Sequence, residues 1–196
     1  MSELLPCVAE FVAEIRKMIE SGMAEDVLWP AVGDRLADLL KQPALRAHAK
    51  DWPETRLPGQ EPRNLLFYHD PDYGFVFNAL IKAPETSTFV HDHGSSWTLY
   101  GVLEGGEQVE RLVRDDDPKA PSGKSLRVTD SDPVGTGFVD VVGPWQIHRE
   151  TSGEQRTVAF IVRSKRSGTF AQFRYDPESA VEREGRGPIQ VPFSLA

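Results

Sequence analysis

The sequence predicts a mostly β fold that carries a layer of helices near its N-terminal end. Two observations lead to this prediction. Between residues 5 and 40, apolar residues recur three and four positions apart, which is the spacing of helices with one buried face. From residue 63 onward, short β-rich runs follow each other, bounded by Gly, Pro, Asp and Ser, with no helical pattern between them. Such closely spaced runs are typical of an antiparallel sandwich or barrel.

Two helices are predicted before the first strand. The first is marked by an apolar stripe and ends at Gly22; the stripe consists of Leu5, Val8, Val12, Ile15 and Ile19. The second covers residues 25–41, and its inner side carries Leu28, Val32, Leu36, Leu39 and Leu40. Residues 42–62 contain four prolines and are predicted to form an irregular connection.

Ten strands are predicted in the rest of the chain, at 64–68, 74–82, 86–93, 97–103, 108–113, 126–129, 137–142, 147–150, 156–163 and 170–175. The polar segment RDDDPKAPSGKS, at 114–125, is predicted to be an exposed and mobile loop. We therefore expect one structural domain, in which residues 1–62 form helices and a connection packed on a barrel of residues 63–196.

Charge and composition narrow the class of protein. The net charge of −8 gives no basic surface for nucleic acid or for an anionic membrane. No apolar run approaches the length of a bilayer span, and the first twenty residues mix acidic and basic side chains into their apolar pattern, unlike a signal peptide. Cys7 is the single cysteine, so no intrachain disulfide can form, and we expect a cytoplasmic protein.

Three of the five histidines form a pattern that predicts a metal site. His91 and His93 flank one residue, and side chains two apart on a strand share a face. With His148 from a later strand, they would give a metal centre with three imidazole ligands and open positions. Asp92 points to the other face and is predicted to fix the loop or its ligands. Glu150 shares the face of His148 and could reach the metal.

The histidine pattern resembles the two motifs of the cupin superfamily, whose members fold as a double-stranded β-helix, or jelly-roll, barrel. In the first motif, His91 and His93 match the His-x-His pair, and Gly105 matches the closing glycine. In the second motif, Gly137 and His148 have the separation found in the family. The resemblance implies a cupin barrel behind the helical layer.

A closer resemblance is to the thiol dioxygenases, the cysteine dioxygenase-like cupins. Thr98 stands where most cupins carry a ligand glutamate, and the thiol dioxygenases also lack that glutamate. Their Ile-His-Asp-His segment is similar to VHDH at 90–93, and PRNLLFYHD at 62–70 is similar to their arginine-bearing segment. The resemblance implies Fe²⁺ on three histidines, with the guanidinium of Arg63 binding a substrate carboxylate.

One feature of the thiol dioxygenases is missing. They carry a Ser-x-His-x-Tyr relay downstream of the third histidine, where this chain has AFIVRSKRSG at 159–168, with neither His nor Tyr. Arg163 or Lys165 could supply a different polar group there. Tyr100 and Tyr175 are the tyrosines that the fold could bring to the metal, and Tyr100 is the candidate catalytic tyrosine.

The function predicted from these residues is a non-haem Fe²⁺-dependent dioxygenase that acts on a small thiol- and carboxylate-bearing substrate. Histidine sites also bind Zn²⁺, Ni²⁺ and Mn²⁺, so the ion stays open. Two alternatives are a zinc-dependent hydrolytic or hydrating cupin and a cupin that binds a small ligand without turnover. The expected partners are the small substrate and dioxygen, with a possible homodimer and no nucleic acid or membrane.

Overall fold

Three helices precede the strands in the computed structural model, which describes residues 4–56, 61–117, 119 and 123–196. They are α1 (Pro6–Glu20), α2 (Glu25–Leu39) and α3 (Pro43–Ala49). The first two confirm the sequence prediction, and Gly22 follows α1 with a φ of 76°, as a left-handed residue after a helix end. Among the described residues, no helix is long and apolar enough to span a bilayer.

The helix α3 corrects the prediction that residues 42–62 are irregular throughout. Pro43 occupies the start of this helix, where a missing backbone N–H costs nothing and the fixed φ of proline suits the first turn. The proline therefore begins an element instead of marking a loop. Leu45 and Ala49 are buried on the inner side of α3.

Within these described residues, twelve strands follow the helices and form two six-stranded sheets. They are β1 (Arg63–His69), β2 (Val76–Lys82), β3 (Val90–His91), β4 (Thr98–Glu104), β5 (Gly106–Asp116), β6 (Lys124–Gly135), β7 (Val139–Val142), β8 (Ile147–Ser152), β9 (Thr157–Arg163), β10 (Gln172–Tyr175), β11 (Glu182–Gly185) and β12 (Ile189–Pro192). The first sheet has the order β12-β1-β2-β9-β4-β7, and the second has the order β11-β10-β3-β8-β5-β6. Neighbouring strands are antiparallel except for the parallel pair of β1 and β12.

The chain passes repeatedly between the two sheets, which is the topology of a jelly-roll barrel. From β4 to β10, the strands β4, β7 and β9 belong to the first sheet, and β5, β6, β8 and β10 belong to the second. The sheets face each other, since Tyr100 and Arg163 of the first and His91 of the second line one cavity. The predicted fold class, a cupin-type barrel with an N-terminal helical layer, is thereby confirmed.

Side-chain alternation along the first sheet separates the two faces of the barrel wall. Val158, Phe160 and Val162 of β9 join the apolar cluster that contains the three helices. Ala159 and Ile161 point to the other face and pack inside the barrel. Because successive side chains of a strand point to opposite faces, this pattern decides which polar residues enter the interior.

The C-terminal end of helix α2 packs closely against β4 because Gly101 of that strand has no side chain. A Cβ atom added at Gly101 would meet a methyl group of Leu40 at 2.9 Å, closer than real Cβ atoms approach carbon. The contact fixes the helical layer on the outer face of the first sheet, so the helices cover the barrel without entering its interior.

The strand prediction was wrong at three places. Only Val90–His91 of the predicted strand 86–93 is a strand. Two strands, β11 and β12, were missed because each has only four residues and is largely exposed. The hairpin of β5 and β6 extends into the predicted loop 114–125, up to the pair of Asp116 and Lys124. This end of the hairpin is stabilised by backbone pairing and by cross-strand ion pairs, such as that of Arg127 with Asp115 at 2.8 Å.

Candidate metal centre

Three histidines meet inside the barrel. His91, on β3, pairs directly with His148, on β8, and His93 lies just beyond the end of β3. The centroids of the three rings are 4.6–4.8 Å apart, and one nitrogen from each ring lies within 4.8 Å of the other two. The structure thus brings together all three predicted metal ligands, although His93 reaches the site from a loop instead of from the strand.

A hydrogen bond at His91 and a nearby carboxylate at His148 favour tautomers that leave a lone pair directed at the cluster. The Nδ1 atom of His91 lies 2.8 Å from the carbonyl oxygen of Phe89, so it carries the proton and leaves Nε2 unprotonated. The Nδ1 atom of His148 lies 3.4 Å from a carboxylate oxygen of Glu150, which favours the same tautomer. Metal-binding histidines are commonly oriented in this way by a carbonyl or carboxylate group.

The spacing of the nitrogen atoms fits a metal ion. The Nε2 atoms of His93 and His148 are 2.9 Å apart. An ion bound about 2.1 Å from two nitrogens at a right angle holds them about 3.0 Å apart. The Nδ1 atom of His93 is buried and lies on the side of the ring that faces away from His148. The residues present therefore fit a divalent ion held by three imidazoles.

The imidazoles are neutral at ordinary pH because they are buried. Burial lowers the pKa of His93 well below its usual value, and the positive charge of Arg163 lowers it further. Burial also lowers the pKa of His148 to about 3, although Glu150 opposes the shift. The pKa of His91 is lowered mainly by burial. Neutral rings keep the lone pairs that a metal ion needs.

Glu150 lies behind His148 and is not part of the converging set of ligand atoms. Its second carboxylate oxygen accepts a 2.7 Å hydrogen bond from the hydroxyl of Thr88. Burial raises the pKa of Glu150, but interactions with His148, His91 and Lys82 and the hydrogen bond from Thr88 together outweigh this effect and hold the pKa at about 2. The carboxylate therefore stays ionised and orients the ring of His148.

Asp92 fixes the loop between the two neighbouring ligands, as predicted from its position. One of its carboxylate oxygens accepts hydrogen bonds from the backbone N–H groups of Gly94, at 2.8 Å, and Phe173, at 3.0 Å. The other oxygen accepts a 2.7 Å hydrogen bond from the hydroxyl of Tyr175. Gly94 has a φ of 53°, and a Cβ atom there would lie 2.0 Å from the carbonyl oxygen of Ala171.

A cavity of about 70 Å³ opens beside the histidines. Its wall includes Thr98, Tyr100 and Arg163 from the first sheet, and Arg56 and Arg174 nearer its mouth. A space of this size holds only a few water molecules, so it suits a small substrate. The candidate tyrosine Tyr100 is therefore at the cavity, whereas the hydroxyl of Tyr175 is engaged by Asp92.

The structure does not bring Arg63 to the cavity. Arg63 is exposed at the start of β1, and its side chain shares the face of Leu65 and Phe67, which pack in the apolar cluster of the helices. The next residue, Asn64, points to the opposite face and lines the cavity. Strand alternation thus directs the predicted carboxylate-binding arginine away from the histidines.

A second buried polar group lies deeper in the barrel and was missed from the sequence. Lys82 forms an ion pair with Glu107, and the hydroxyl of Tyr100 donates a 3.2 Å hydrogen bond to the same carboxylate oxygen. Burial raises the pKa of Tyr100 well above its usual value and also raises that of Glu107, which Lys82 opposes. The one sequence signal was that Lys82 falls on the inner face of β2, in register with Leu80.

Comparison with known proteins shows structural neighbours but no sequence family. No protein-family model and no curated protein sequence matches the chain. The chain is similar to oxalate oxidase in complex with the substrate analogue glycolate, at 18% identity over 59% of this chain and 56% of that chain, with a TM-score of 0.43. It is also similar to an uncharacterized conserved protein with a double-stranded β-helix domain from Klebsiella pneumoniae subsp. pneumoniae, at 14% identity over 67% and 85% of the two chains, with a TM-score of 0.42.

A third neighbour is the cupin domain of Cnp3 from Schizosaccharomyces pombe, at 8% identity over 53% and 64% of the two chains, with a TM-score of 0.40. The aligned part is less than two thirds of the oxalate oxidase and Cnp3 chains. Similarity at this level transfers no activity to this chain. The fold stated above rests on the strand order of the chain itself, and the site rests on its own geometry.

Proposed function

We propose that the protein is a metal-dependent oxidoreductase that holds Fe²⁺ on His91, His93 and His148 and oxidises a small thiol with dioxygen. The observation that carries this proposal is the convergence of three neutral imidazoles at one side of a small cavity. Three neutral ligands leave the ion its full charge, which favours an anionic substrate group such as a thiolate. When bound, the ion would supply the redox chemistry that amino-acid side chains lack.

The residues around the histidines orient the rings and fix the loop between His91 and His93. Glu150 and the carbonyl group of Phe89 hold two rings in the tautomer that binds metal. Asp92 holds the loop that carries His93. The cavity lies among buried side chains, so charges within it act more strongly than they would in solution. Together these features position and neutralise a small anion beside the ion.

The proposed reaction balances without an external reductant. A thiol, RSH, and one dioxygen molecule give a sulfinic acid, RSO₂H, with both oxygen atoms transferred to sulfur. The sulfur loses four electrons and dioxygen gains them. The resemblance to thiol dioxygenases supports this reaction class, and a reducing compartment, as the lone Cys7 favours, would keep the iron as Fe²⁺.

The test is oxygen uptake by anaerobically purified, Fe²⁺-loaded protein with cysteine, 3-mercaptopropionate, cysteamine and non-thiol acids. We expect about one iron per chain and uptake with at least one thiol. The His93→Ala variant should lose both, whereas His69→Ala, which changes an exposed histidine at the end of β1, should keep both. Iron at full occupancy with no uptake from any thiol would overturn the thiol dioxygenase assignment.

The same experiment separates the alternatives that the sequence leaves open. Zinc as the tightly held metal, with activity that does not depend on oxygen, would indicate a hydrolytic or hydrating enzyme. Binding of a small molecule without any product would indicate a ligand-binding cupin. The absence of the Ser-x-His-x-Tyr relay from the sequence makes both outcomes worth measuring.

A further inference from the structure

Arg163 is a buried cation that makes no direct ion pair with a described residue, although the charge of Glu150 acts on it from a distance. It ends β9 on the interior face of the barrel, and only 3% of its surface is exposed. Its Nη1 atom donates a 3.0 Å hydrogen bond to the hydroxyl of Ser167, but its buried Nε atom has no partner. Among the described residues, no carboxylate forms an ion pair with it. A charge kept out of water in this way is unfavourable unless something else binds it.

The free edge of this guanidinium has the geometry of a carboxylate site. With Ser167 on Nη1, the edge formed by Nε and Nη2 makes no hydrogen bond to the described residues. That edge presents two parallel N–H groups, which is the arrangement that binds both oxygens of one carboxylate. Burial lowers the pKa of Arg163 to about 10, so the group still carries its charge at neutral pH.

Thr98 is the neighbour of Arg163 across the sheet, and it is also unpartnered. The two residues are directly paired between β4 and β9. The hydroxyl of Thr98 is buried and makes no hydrogen bond within the part of the chain that the structure describes. Both residues line the cavity that also contains His91 and His93. Two unpartnered polar groups on adjacent strands therefore face the same space beside the metal ligands.

The charges around the cavity favour an anion there. Three arginines line it, and the guanidinium groups of Arg56 and Arg174 stack on the ring of Phe89, at 4.6 and 4.4 Å from its centre. The two carboxylates of the lining are already engaged. Asp92 binds the loop, and Glu150 binds Thr88 and orients His148. The excess positive charge is therefore left for a ligand.

We infer that Arg163 and Thr98 form the anion-binding subsite of this centre and bind the carboxylate of a small organic acid. This inference rests on the proposed function, because it places the carboxylate beside the site where the reacting group would bind. It assigns the role to the buried Arg163 and not to Arg63, which the structure directs away from the cavity. The cavity volume limits the acid to a few non-hydrogen atoms.

The experiment measures binding, not turnover, by anaerobic calorimetric titration of the Fe²⁺-loaded chain. The probes are 3-mercaptopropionate, cysteamine, which has the thiol but no carboxylate, and propionate, which has the carboxylate but no thiol. The variants are Arg163→Met, Arg63→Met as the competing candidate, and Arg127→Met as an exposed control on β6. Iron content is measured for each sample.

We expect Arg163→Met to keep its iron and to raise the Kd of 3-mercaptopropionate and propionate about 10- to 100-fold, the effect of losing charged hydrogen bonds. Its affinity for cysteamine should not fall, and Arg127→Met should bind all probes as the original chain does. Unchanged binding of both acids in Arg163→Met would overturn the inference. So would a loss that occurs in Arg63→Met and not in Arg163→Met.

Two further variants keep the test decisive if Arg163→Met does not fold. Thr98→Val and Arg163→Lys retain the size of each side chain and should weaken binding of both acids by about 3- to 10-fold. Unchanged binding in both would contradict the inference. If no thiol binds but propionate still binds in an Arg163-dependent manner, the thiol assignment fails and the anion subsite stands. If neither acid binds the original chain, with or without iron, the subsite is wrong.

Discussion

The interior of the barrel contains two buried polar clusters that differ in how their charges are balanced. In the paired cluster, Lys82, Glu107 and Tyr100, opposite charges meet directly on one carboxylate oxygen. In the open cluster, His91, His93, His148, Thr98 and Arg163, several polar atoms are buried without a partner and line a cavity. Both clusters lie largely out of contact with bulk water, so burial alone does not distinguish a structural role from a functional one. The charge balance does, because Lys82 neutralises Glu107 in the paired cluster, whereas Arg163 in the open cluster forms no ion pair with any described residue.

The largest effect should come from removing a ligand of the open cluster. His148→Ala should reduce bound iron from about one per chain to background, because two imidazoles and water hold a divalent ion far less tightly than three. The measurement is metal content after dialysis at equal protein concentration. The exposed His69→Ala variant is the matched control. Full metal occupancy in His148→Ala would mean that the three histidines do not form the site.

The paired cluster should respond in stability and not in metal binding. Lys82→Met leaves the carboxylate of Glu107 buried and unpaired beside the charge of Glu150, which should lower the free energy of unfolding by about 3–5 kcal/mol. Urea unfolding measures the change, with the slope of the transition checked for constancy.

Two controls accompany Lys82→Met. Lys41→Met removes an exposed partner of Asp38 and should cost less than about 1 kcal/mol. The double variant Lys82→Met/Glu107→Leu should recover most of the lost stability, because it removes both charges together. If Lys82→Met instead lost its metal while remaining as stable as the original chain, the division between the two clusters would be wrong.

The fold could be predicted from the sequence because its main strands are amphipathic or fully apolar. The runs at β2, β4 and β9 are buried over almost their whole length, and turn residues separate them clearly. The strands β11 and β12 could not be predicted, because four exposed residues at the edge of a sheet are too short a run to give a clear pattern. The start of α3 was missed because a proline at a helix start looks like a proline in a loop.

The cluster of three histidines could be predicted from the sequence, but the arginine that lines its cavity could not, for a physical reason. His91 and His93 are adjacent enough for spacing to reveal them, and His148 lies at a family-like separation from Gly137. Arg63 was predicted from a local resemblance, but a shift of one residue in register reverses the face of a strand. The ion pair of Lys82 and Glu107 joins residues of different sheets, 25 positions apart, which no local pattern contains.

A smaller effect should come from the carboxylate that orients a ligand of the open cluster. Glu150→Gln keeps the size of the side chain but removes the negative charge near Nδ1 of His148. Loss of such an orienting group weakens metal affinity about 10- to 100-fold. Competition with a chelator of known affinity measures the change, with the exposed Glu14→Gln on α1 as control. An unchanged affinity would show that Glu150 is held there by Thr88 and contributes little to the tautomer of His148.

We expect the smallest effect from Tyr175→Phe. This variant tests whether the contacts that hold the loop of His93 also influence metal binding. Tyr175→Phe removes one hydroxyl that donates to Asp92 at 2.7 Å and leaves the two backbone N–H bonds to the same carboxylate in place. We expect a loss of about 1 kcal/mol in unfolding free energy, the usual value for one such hydrogen bond. Metal affinity should fall by no more than a few-fold, because His93 keeps its position through the remaining contacts.

Tyr73→Phe is the matched control for this last change. Its hydroxyl donates to Glu20 at 3.1 Å on the surface, so its removal should alter neither stability nor metal affinity measurably. If Tyr175→Phe lowers metal affinity as much as Glu150→Gln does, then the charge and orientation of Asp92 influence the metal site. The open cluster would in that case extend to Tyr175 on β10. If it loses stability alone, Asp92 and Tyr175 form a structural clamp. In that case His93 would belong to the metal site, whereas Asp92 and Tyr175 would only support the fold of the loop.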